Sequence, residues 1–202
     1  HCALKVISVP GSQKEYDEML STMSEFAMRA KLREKVEEIS SEYRLLGALR
    51  GHPNVVNCED QMIIPHENDM GWDIYIRMEL LQSLPDYVRE NGMTVESVIK
   101  LGSDMCSALE LCRENNIIHR DIKPQNIFVS RYGVFKLGDF GVAKASAIRT
   151  SADKVGTYSY MAPEVYKGKG YDDRVDIYSL GMVLYWLLNE RRGPFLPMPP
   201  QT

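Results

Sequence analysis

The sequence predicts an α+β protein of two unequal lobes. Three observations favour this class: alternating apolar positions typical of strands before residue 81, helical periodicity after residue 84, and two short strand patterns between later helical segments. A chain of 202 residues with 44% apolar content can bury a sizeable core. We expect a small strand-rich lobe at residues 1–81 and a larger helical lobe at residues 82–202.

Composition narrows the classes of partner. The net charge of −4 provides no overall basic field, so we expect no nucleic-acid partner. No apolar run approaches the roughly 18 to 20 residues that cross a bilayer, which predicts no membrane segment in this chain. We expect a cytoplasmic location, although a longer protein can carry an anchor outside this chain. The four cysteines lack CxxC spacing, so they do not predict a metal site.

The first 81 residues place a helical region between strands. The stretch CALKVI is typical of a strand, and NVVNCEDQMII with WDIYIRMEL predicts an antiparallel pair. Between residues 14 and 50, apolar residues recur at spacings of three and four, which predicts one helix or two in series. The residues expected on the buried side of this region are Leu32, Val36, Ile39, Tyr43 and Leu46.

The remaining residues alternate helices with short strands. LPDYVREN predicts a helix, and a second begins at Thr94 and continues to about residue 115. IFVS and VFKLGDF predict strands around the turn RYG, and DDRVDIYSLGMVLYWLLNE predicts a last helix. The second helix is expected to bury one stripe, formed by Val95, Val98, Ile99, Gly102, Met105 and Leu109.

The stretch IIHRDIKPQNIFVS, residues 117–130, places charged residues where a plain turn would use Gly, Asn, Pro or Ser. DFG follows Asn126 by thirteen residues, and GTYSYMAPE comes later. This ordered set resembles the catalytic core of eukaryotic-type protein kinases. Its KPxN and GTxxYMAPE elements resemble the serine/threonine branch, and the RRGPFLP end with the long insert before the helix resembles bacterial members.

The resemblance implies ATP-dependent phosphate transfer to Ser or Thr hydroxyls of protein substrates, with Mg²⁺ as the metal. Asp121 would accept the proton of the acceptor hydroxyl, and Lys123 would steady the transferring phosphate. Asn126 and Asp139 would hold Mg²⁺, which prefers hard oxygen ligands. The alternative for Asp121 is a turn carboxylate that caps its own loop, and for Asn126 a turn amide.

The resemblance also implies a nucleotide site. Lys5 would contact the α- and β-phosphates and pair with a helix glutamate, for which Glu42 is the choice and Glu37 or Glu38 the alternatives. Ala3 and Phe128 would provide apolar surfaces on either side of the adenine. Met78 would lie behind the adenine pocket, and the backbone of Glu79 and Leu81 would bond to the adenine edge. The alternative for the apolar members is plain core packing.

Regulation would involve the segment from Asp139 to Glu164. The resemblance places Thr157 near the catalytic residues, and a phosphate on the loop containing Ser146, Thr150 and Ser151 would be received by Arg120. Asp176 is expected to brace the backbone of residues 119–126, which the resemblance identifies as the catalytic loop.

Two departures from the family pattern predict that the chain is part of a longer kinase domain. The glycine-rich loop expected before Lys5 is absent, and the final helices of the large lobe do not follow. An isolated chain can therefore be inactive. Two other functions stay open. A pseudokinase or regulatory binding module would be favoured by a missing catalytic charge, and none is missing; a small-molecule phosphotransferase of related fold has no need for GTYSYMAPE.

Overall fold

The computed structural model describes residues 1–140, 159–167 and 170–193, with the backbone alone at 42, 44–46 and 166. The predicted α+β class is confirmed, because the described residues form two antiparallel sheets and six α-helices. The predicted regulatory residues Ser146, Thr150, Ser151 and Thr157 lie outside the described residues. The described residues form two compact units, and each is considered by itself.

The first unit contains residues 1–50 and 57–80. Its elements are β1 (Cys2–Val9), α1 (Gln13–Thr22), α2 (Glu25–Leu45), a 3₁₀ turn (Leu46–Leu49), β2 (Cys58–Pro65) and β3 (Trp72–Glu79). The predicted helical stretch is therefore two helices in series. Ser12 caps α1, since its hydroxyl accepts a hydrogen bond from the Glu15 N–H at 3.2 Å.

One face of the first sheet forms the core of this unit. The strand order is β1-β3-β2, with both pairings antiparallel. Ile74 and Ile76 of β3 are buried and belong to the same apolar cluster as Leu32, Val36 and Ile39 of α2. Three of the five predicted core positions are thus confirmed as buried. Tyr43 is partly buried against the same cluster, and the side chain of Leu46 lies outside the described part of the structure. Burial of a side chain of this size contributes about 1.5–3 kcal/mol before entropy is counted.

The second unit contains residues 51–56, 81–139 and the described residues from 159 onward. Its elements are β4 (Gln82–Ser83), α3 (Leu84–Asn91), α4 (Val95–Glu114), a 3₁₀ turn (Pro124–Asn126), β5 (Ile127–Val129), β6 (Phe135–Leu137), α5 (Pro163–Tyr166) and α6 (Arg174–Leu188). The predictions of α3, α4, β5, β6 and α6 are confirmed. Strand β4 and helix α5 were not predicted, because two and four residues carry no periodic signal.

The predicted buried stripe of α4 is wrong at two positions. Val95 and Ile99 are 58% and 66% exposed. The buried stripe contains Val98, Leu101, Met105, Ala108, Leu109 and Cys112. This stripe follows spacings of three and four from residue 98, whereas 95 and 99 lie one step around the helix. Gly102 is correctly placed at a helix contact, since a Cβ there would lie 3.4 Å from Leu184 of α6.

The second sheet has the strand order β4-β5-β6. Strand β4 precedes α3, whereas β5 and β6 follow the loop after α4. Gly133 turns the chain between β5 and β6 with a φ of +71°, a value that glycine adopts without strain. The segment before β2 is attached to β6: the Val56 N–H donates to the Leu137 carbonyl, and the Leu137 N–H donates to the Asn54 carbonyl, both at 2.8 Å. Within the described ranges, no helix combines the length and apolar character needed to cross a membrane.

Candidate active site

The loop between α4 and β5 buries polar side chains, which is unusual for a surface connection. His119, Asp121 and Asn126 are all buried. Burying such groups is unfavourable unless they are hydrogen-bonded. Hydrogen bonds to these residues also fix the loop geometry.

Asp176 of α6 holds the backbone of this loop. Its carboxylate, 2% exposed, accepts hydrogen bonds from the His119 N–H at 2.7 Å and the Arg120 N–H at 2.8 Å. Arg120 has a φ of +65°, a left-handed conformation that costs about 1–3 kcal/mol in a residue other than glycine. The two charge-assisted bonds offset this cost, so the expected bracing role of Asp176 agrees with its observed contacts.

His119 connects the loop to the end of β6. Its Nδ1 lies 3.3 Å from the Asp121 N–H and its Nε2 lies 2.9 Å from the Gly138 carbonyl oxygen. A nitrogen that receives an N–H bond must carry no proton, while one that faces a carbonyl must donate. The imidazole is therefore the neutral Nε2–H tautomer and acts as a structural crosslink.

Asp121 is oriented by its two neighbours in the motif. The Asn126 amide donates to the Asp121 backbone carbonyl at 2.8 Å and to its Oδ2 at 3.1 Å. The Lys123 ammonium lies 3.2 Å from the same Oδ2. Three predicted site residues are thus brought together around one carboxylate, which is fixed in direction and faces a positive charge.

Asp139 is joined to this group through the backbone. The Gly138 N–H donates to the Asn126 carbonyl at 2.9 Å, and Asp139 follows with a φ of +57°. A side chain at Gly138 would not fit, because its Cβ would lie 2.7 Å from Val56 and 2.9 Å from Phe128. Glycine at 138 therefore permits the close approach of the chain before Asp139 to Val56 and Phe128.

The donor set suits a hard divalent cation. Asn126 supplies an amide oxygen and Asp139 a carboxylate, and Mg²⁺ is commonly bound by one or two such groups together with substrate phosphates and water. Within the described ranges, no three His, Cys, Asp or Glu side chains are grouped to hold a metal by themselves. Asn126 and Asp139 are therefore candidate ligands, on the chemistry of their oxygen donors, for a metal bound together with a nucleotide.

In the first unit, the pairing of β1 with β3 places Lys5. Lys5 lies opposite Ile76, and Ala3 lies opposite Met78. Directly opposed residues of an antiparallel pair project from the same face, so Lys5 and Ala3 share the face that packs on α2. The neighbours Leu4 and Val6, 60% and 49% exposed, project from the other face. The lysine is therefore on the core side and the apolar residues on the solvent side.

The position of residue 42 on α2 follows from the backbone. Ser40 accepts a hydrogen bond from the Gln61 side chain of β2 at 3.3 Å, so its flank of α2 faces β2. At about 100° per residue, the backbone position 42 lies about 160° around the helix from position 40, away from the flank that faces β2. The alternatives are Glu37 and Glu38, which are exposed; Glu38 lines the groove between α1 and α2.

The remaining adenine-site candidates are at strand ends. The Glu79 N–H donates to the Asn57 carbonyl at 3.1 Å, and the Glu79 carboxylate accepts from the Asn57 N–H at 2.6 Å. The Glu79 N–H is therefore not the group offered to an adenine edge. Leu81 immediately precedes β4 in the second unit, and half-buried Phe128 of β5 lies opposite Ser83.

Two contributors to the site were missed from the sequence. Gly138 acts through its carbonyl, its N–H and its missing side chain, and a lone glycine inside LGDFG gives no signal for these contacts. Tyr171, between α5 and α6, lies against Arg120: the guanidinium carbon of Arg120 is 5.6 Å from the ring centroid of Tyr171.

Burial, with the charge of Asp176, raises the pKa of the nearby Cys112 thiol to about 12, so this cysteine stays protonated.

The family model described as "Protein kinase domain" matches residues 13–197 of this chain. That range covers most of the 202 residues and includes the whole loop from His119 to Asp139. The chain belongs to the protein kinase family.

Several curated proteins are similar to the chain. It is 41% identical over 140 residues to a probable serine/threonine-protein kinase of Clostridium perfringens, covering 66% of this chain and 20% of that protein. It is 42% identical over 149 residues to the serine/threonine-protein kinase PknB of Mycobacterium tuberculosis, covering 70% and 24%. A probable serine/threonine-protein kinase of Dictyostelium discoideum is 30% identical over 179 residues, covering 84% and 13%. The chain thus spans a quarter or less of each relative.

Proposed function

We propose that the protein containing this chain transfers the γ-phosphate of ATP to Ser or Thr hydroxyls of protein substrates. The observation that carries the proposal is the group around Asp121, a buried carboxylate oriented by Lys123 and Asn126. Phosphate transfer needs positioned charges rather than covalent chemistry, and this group provides them. The similar serine/threonine kinases favour the same reaction.

Asp121 orients the acceptor hydroxyl and accepts its proton as the oxygen attacks phosphorus. Lys123, 3.2 Å from Asp121 Oδ2, places a positive charge next to the base and next to the developing charge on the phosphate. Asn126 holds the base in place through its amide and offers its oxygen to the metal. The Nε2–H tautomer of His119 fixes the loop but exchanges no proton with the substrate.

Mg²⁺ bound with ATP would neutralise phosphate oxygens and orient the triphosphate. Asn126 and Asp139 are its proposed ligands, because both are oxygen donors and the backbone joins them through Gly138. Asp139 is the anionic member of the pair. Its loss would therefore weaken nucleotide binding as well as turnover.

The nucleotide contacts of the first unit are proposed on sheet and helix geometry. Lys5, on the face that packs on α2, contacts the α- and β-phosphates and pairs with Glu42 of that helix, whose backbone position lies away from the β2 flank. The adenine is held by apolar surfaces and backbone groups assigned to Ala3, Met78, Glu79, Leu81 and Phe128. The partly buried state of Ala3 and Met78 supports this assignment, since each keeps some surface accessible.

The experiment is phosphate transfer by the full-length protein to a generic protein substrate, with phosphoamino-acid analysis. We expect phosphoserine or phosphothreonine, and a loss of at least about 10²- to 10⁴-fold in Asp121→Asn. Asp17→Asn is the matched control, because Asp17 is exposed on α1 and its side chain bonds to Gln13. Full activity in Asp121→Asn, or phosphate on tyrosine alone, would overturn the proposal.

A further inference from the structure

Arg120 precedes Asp121, and its side chain meets an aromatic ring. The guanidinium carbon lies 5.6 Å from the ring centroid of Tyr171, within the range of a cation–π contact. Tyr171 is 39% exposed, so its ring is partly desolvated on the side of the contact. The contact joins the catalytic loop to the connection between α5 and α6.

Helix α6, which follows this connection, holds the loop at a second point. Asp176, five residues after Tyr171, binds the backbone N–H groups of His119 and Arg120. Arg120 is thereby fixed in a left-handed conformation, with a φ of +65°. Asp176 thus anchors the main chain of Arg120 and Tyr171 anchors its side chain.

We propose that Tyr171 is a positioning residue for Arg120. Its ring holds the guanidinium away from the Asp121 carboxylate, whose Oδ2 already accepts bonds from Asn126 and faces Lys123. A guanidinium released from the ring would be drawn to that carboxylate and would compete for the oxygen that receives the substrate proton. The contact with the neutral ring leaves the charge of Arg120 intact, together with its in-plane N–H donors.

This inference rests on the proposed kinase activity, and its test is a double-mutant cycle in the full-length protein. We expect Tyr171→Phe, which keeps the ring, to retain kcat within about twofold. Tyr171→Leu should lower kcat about two- to fivefold, the range expected for an exposed cation–π contact, with KM for ATP unchanged. Introduced into Arg120→Gln, Tyr171→Leu should cause no further loss, because the cation it positions is gone.

A second readout is independent of turnover. The Nε–H resonance of Arg120 in arginine-labelled protein should carry a ring-current shift in the parent and in Tyr171→Phe, and lose it in Tyr171→Leu. Additive kinetic effects, or no ring-current shift in the parent, would overturn the positioning role. A parent that shows the shift but transfers no phosphate would instead overturn the proposed function, and the role in turnover with it.

Discussion

The catalytic loop and the β1–α2 region both contribute predicted site residues, but they fix them in different ways. In the loop, Asp121 is held by the side chains of Asn126 and Lys123, which lie within five residues of it in the sequence. In the β1–α2 region, strand pairing places Lys5 on a sheet face and helical geometry places position 42 on a flank. Side-chain contacts determine where the residues of the loop lie, whereas strand and helix periodicity determines where those of the β1–α2 region lie.

The difference explains which residues can act without further ordering. A buried aspartate is fixed in orientation when its backbone carbonyl and its carboxylate both accept hydrogen bonds. A lysine on a sheet face is directed by the strand only as far as its Cβ, because its four-carbon side chain has several rotatable bonds. We therefore infer that Asp121, the proposed base, is preorganised by the contacts of its own loop.

Among the substitutions outside the loop itself, that of Asp176 should have the largest effect. Asp176→Asn replaces one acceptor oxygen by a donor that faces a backbone N–H, so a bond worth about 1.5–3 kcal/mol is lost within a buried site. We expect unfolding in urea at lower concentration and at least about a 10²-fold loss of kcat. Asp172→Asn is the control, because Asp172 is exposed and its side chain bonds to Arg174. Equal effects of the two substitutions would show that the loop is not held by Asp176.

Glu42→Gln should have the next largest effect and tests the β1–α2 region. We expect turnover to fall on the order of 10- to 100-fold, because Lys5, the proposed phosphate-binding lysine, would lose its proposed anionic partner. Glu37→Gln and Glu38→Gln are matched controls on the same helix, and both should change turnover little. If either control were the most damaging, the ion pair would move to that residue and the choice of Glu42 would be wrong.

Regulation through the loop containing Thr150 is a smaller effect. A phosphate there adds about −1.5 to −2 charges and can form one to three charge-assisted bonds, for which Arg120 is the proposed partner. We expect autophosphorylation, most strongly at Thr150, to raise activity several-fold during incubation with ATP. Mass spectrometry locates the phosphate, and a Thr150→Ala, Ser151→Ala double variant should stay at the initial rate. A double variant that is activated like the parent would remove this regulatory role.

The smallest effect concerns the turn between β2 and β3. His66 has Nδ1 2.6 Å from Asp69 and Nε2 3.2 Å from Asp73, an arrangement satisfied by the doubly protonated ring. Partial burial alone would lower the pKa of His66, but bonds to Asp73 and Asp69 outweigh it and raise the pKa above 6.5. The stabilisation is complete below about pH 6.5 and is lost as the pH rises through the folded-state pKa.

The measurement for this turn is thermal unfolding of the parent and of His66→Asn from pH 6 to 9. We expect the parent to be more stable by about 0.2–1 kcal/mol at the acid end, with the difference shrinking as the pH rises. Glu67→Gln, an exposed change in the same turn, should give a constant offset. A difference that grows with pH would contradict a protonated His66.

The candidate site residues of the loop could be chosen one by one from the sequence, because each occupies a position of a motif. In the structure these motif residues contact one another. The sequence also predicted α3 at its true bounds, since Ser83 and Pro85 mark the start and Gly92 follows the end. The error at Val95 and Ile99 has a physical cause. Both are apolar residues on an otherwise amphipathic helix, and periodicity alone does not show which of two adjacent apolar stripes meets α6.

Contacts between residues distant in sequence account for what was not predicted. The pairing of Arg120 with Tyr171 spans 51 positions and depends on the left-handed backbone at Arg120. The fit around Gly138 depends on Val56, which is attached to β6 by backbone bonds rather than by any local pattern. Such contacts arise from tertiary packing. Neither the composition of the sequence nor the spacing of its residues shows which distant residues will meet.

The division of labour within the loop is tested most directly by the affinity of the full-length protein for ATP, measured by calorimetry with and without Mg²⁺. Asp121 is assigned to the acceptor hydroxyl and Asp139 to the metal, so both Asp121→Asn and Asp139→Asn should abolish measurable transfer. We predict that Asp121→Asn keeps the Mg²⁺-dependent affinity of the parent, whereas Asp139→Asn loses most of it. Equal impairment of ATP binding in the two variants would contradict the assignment.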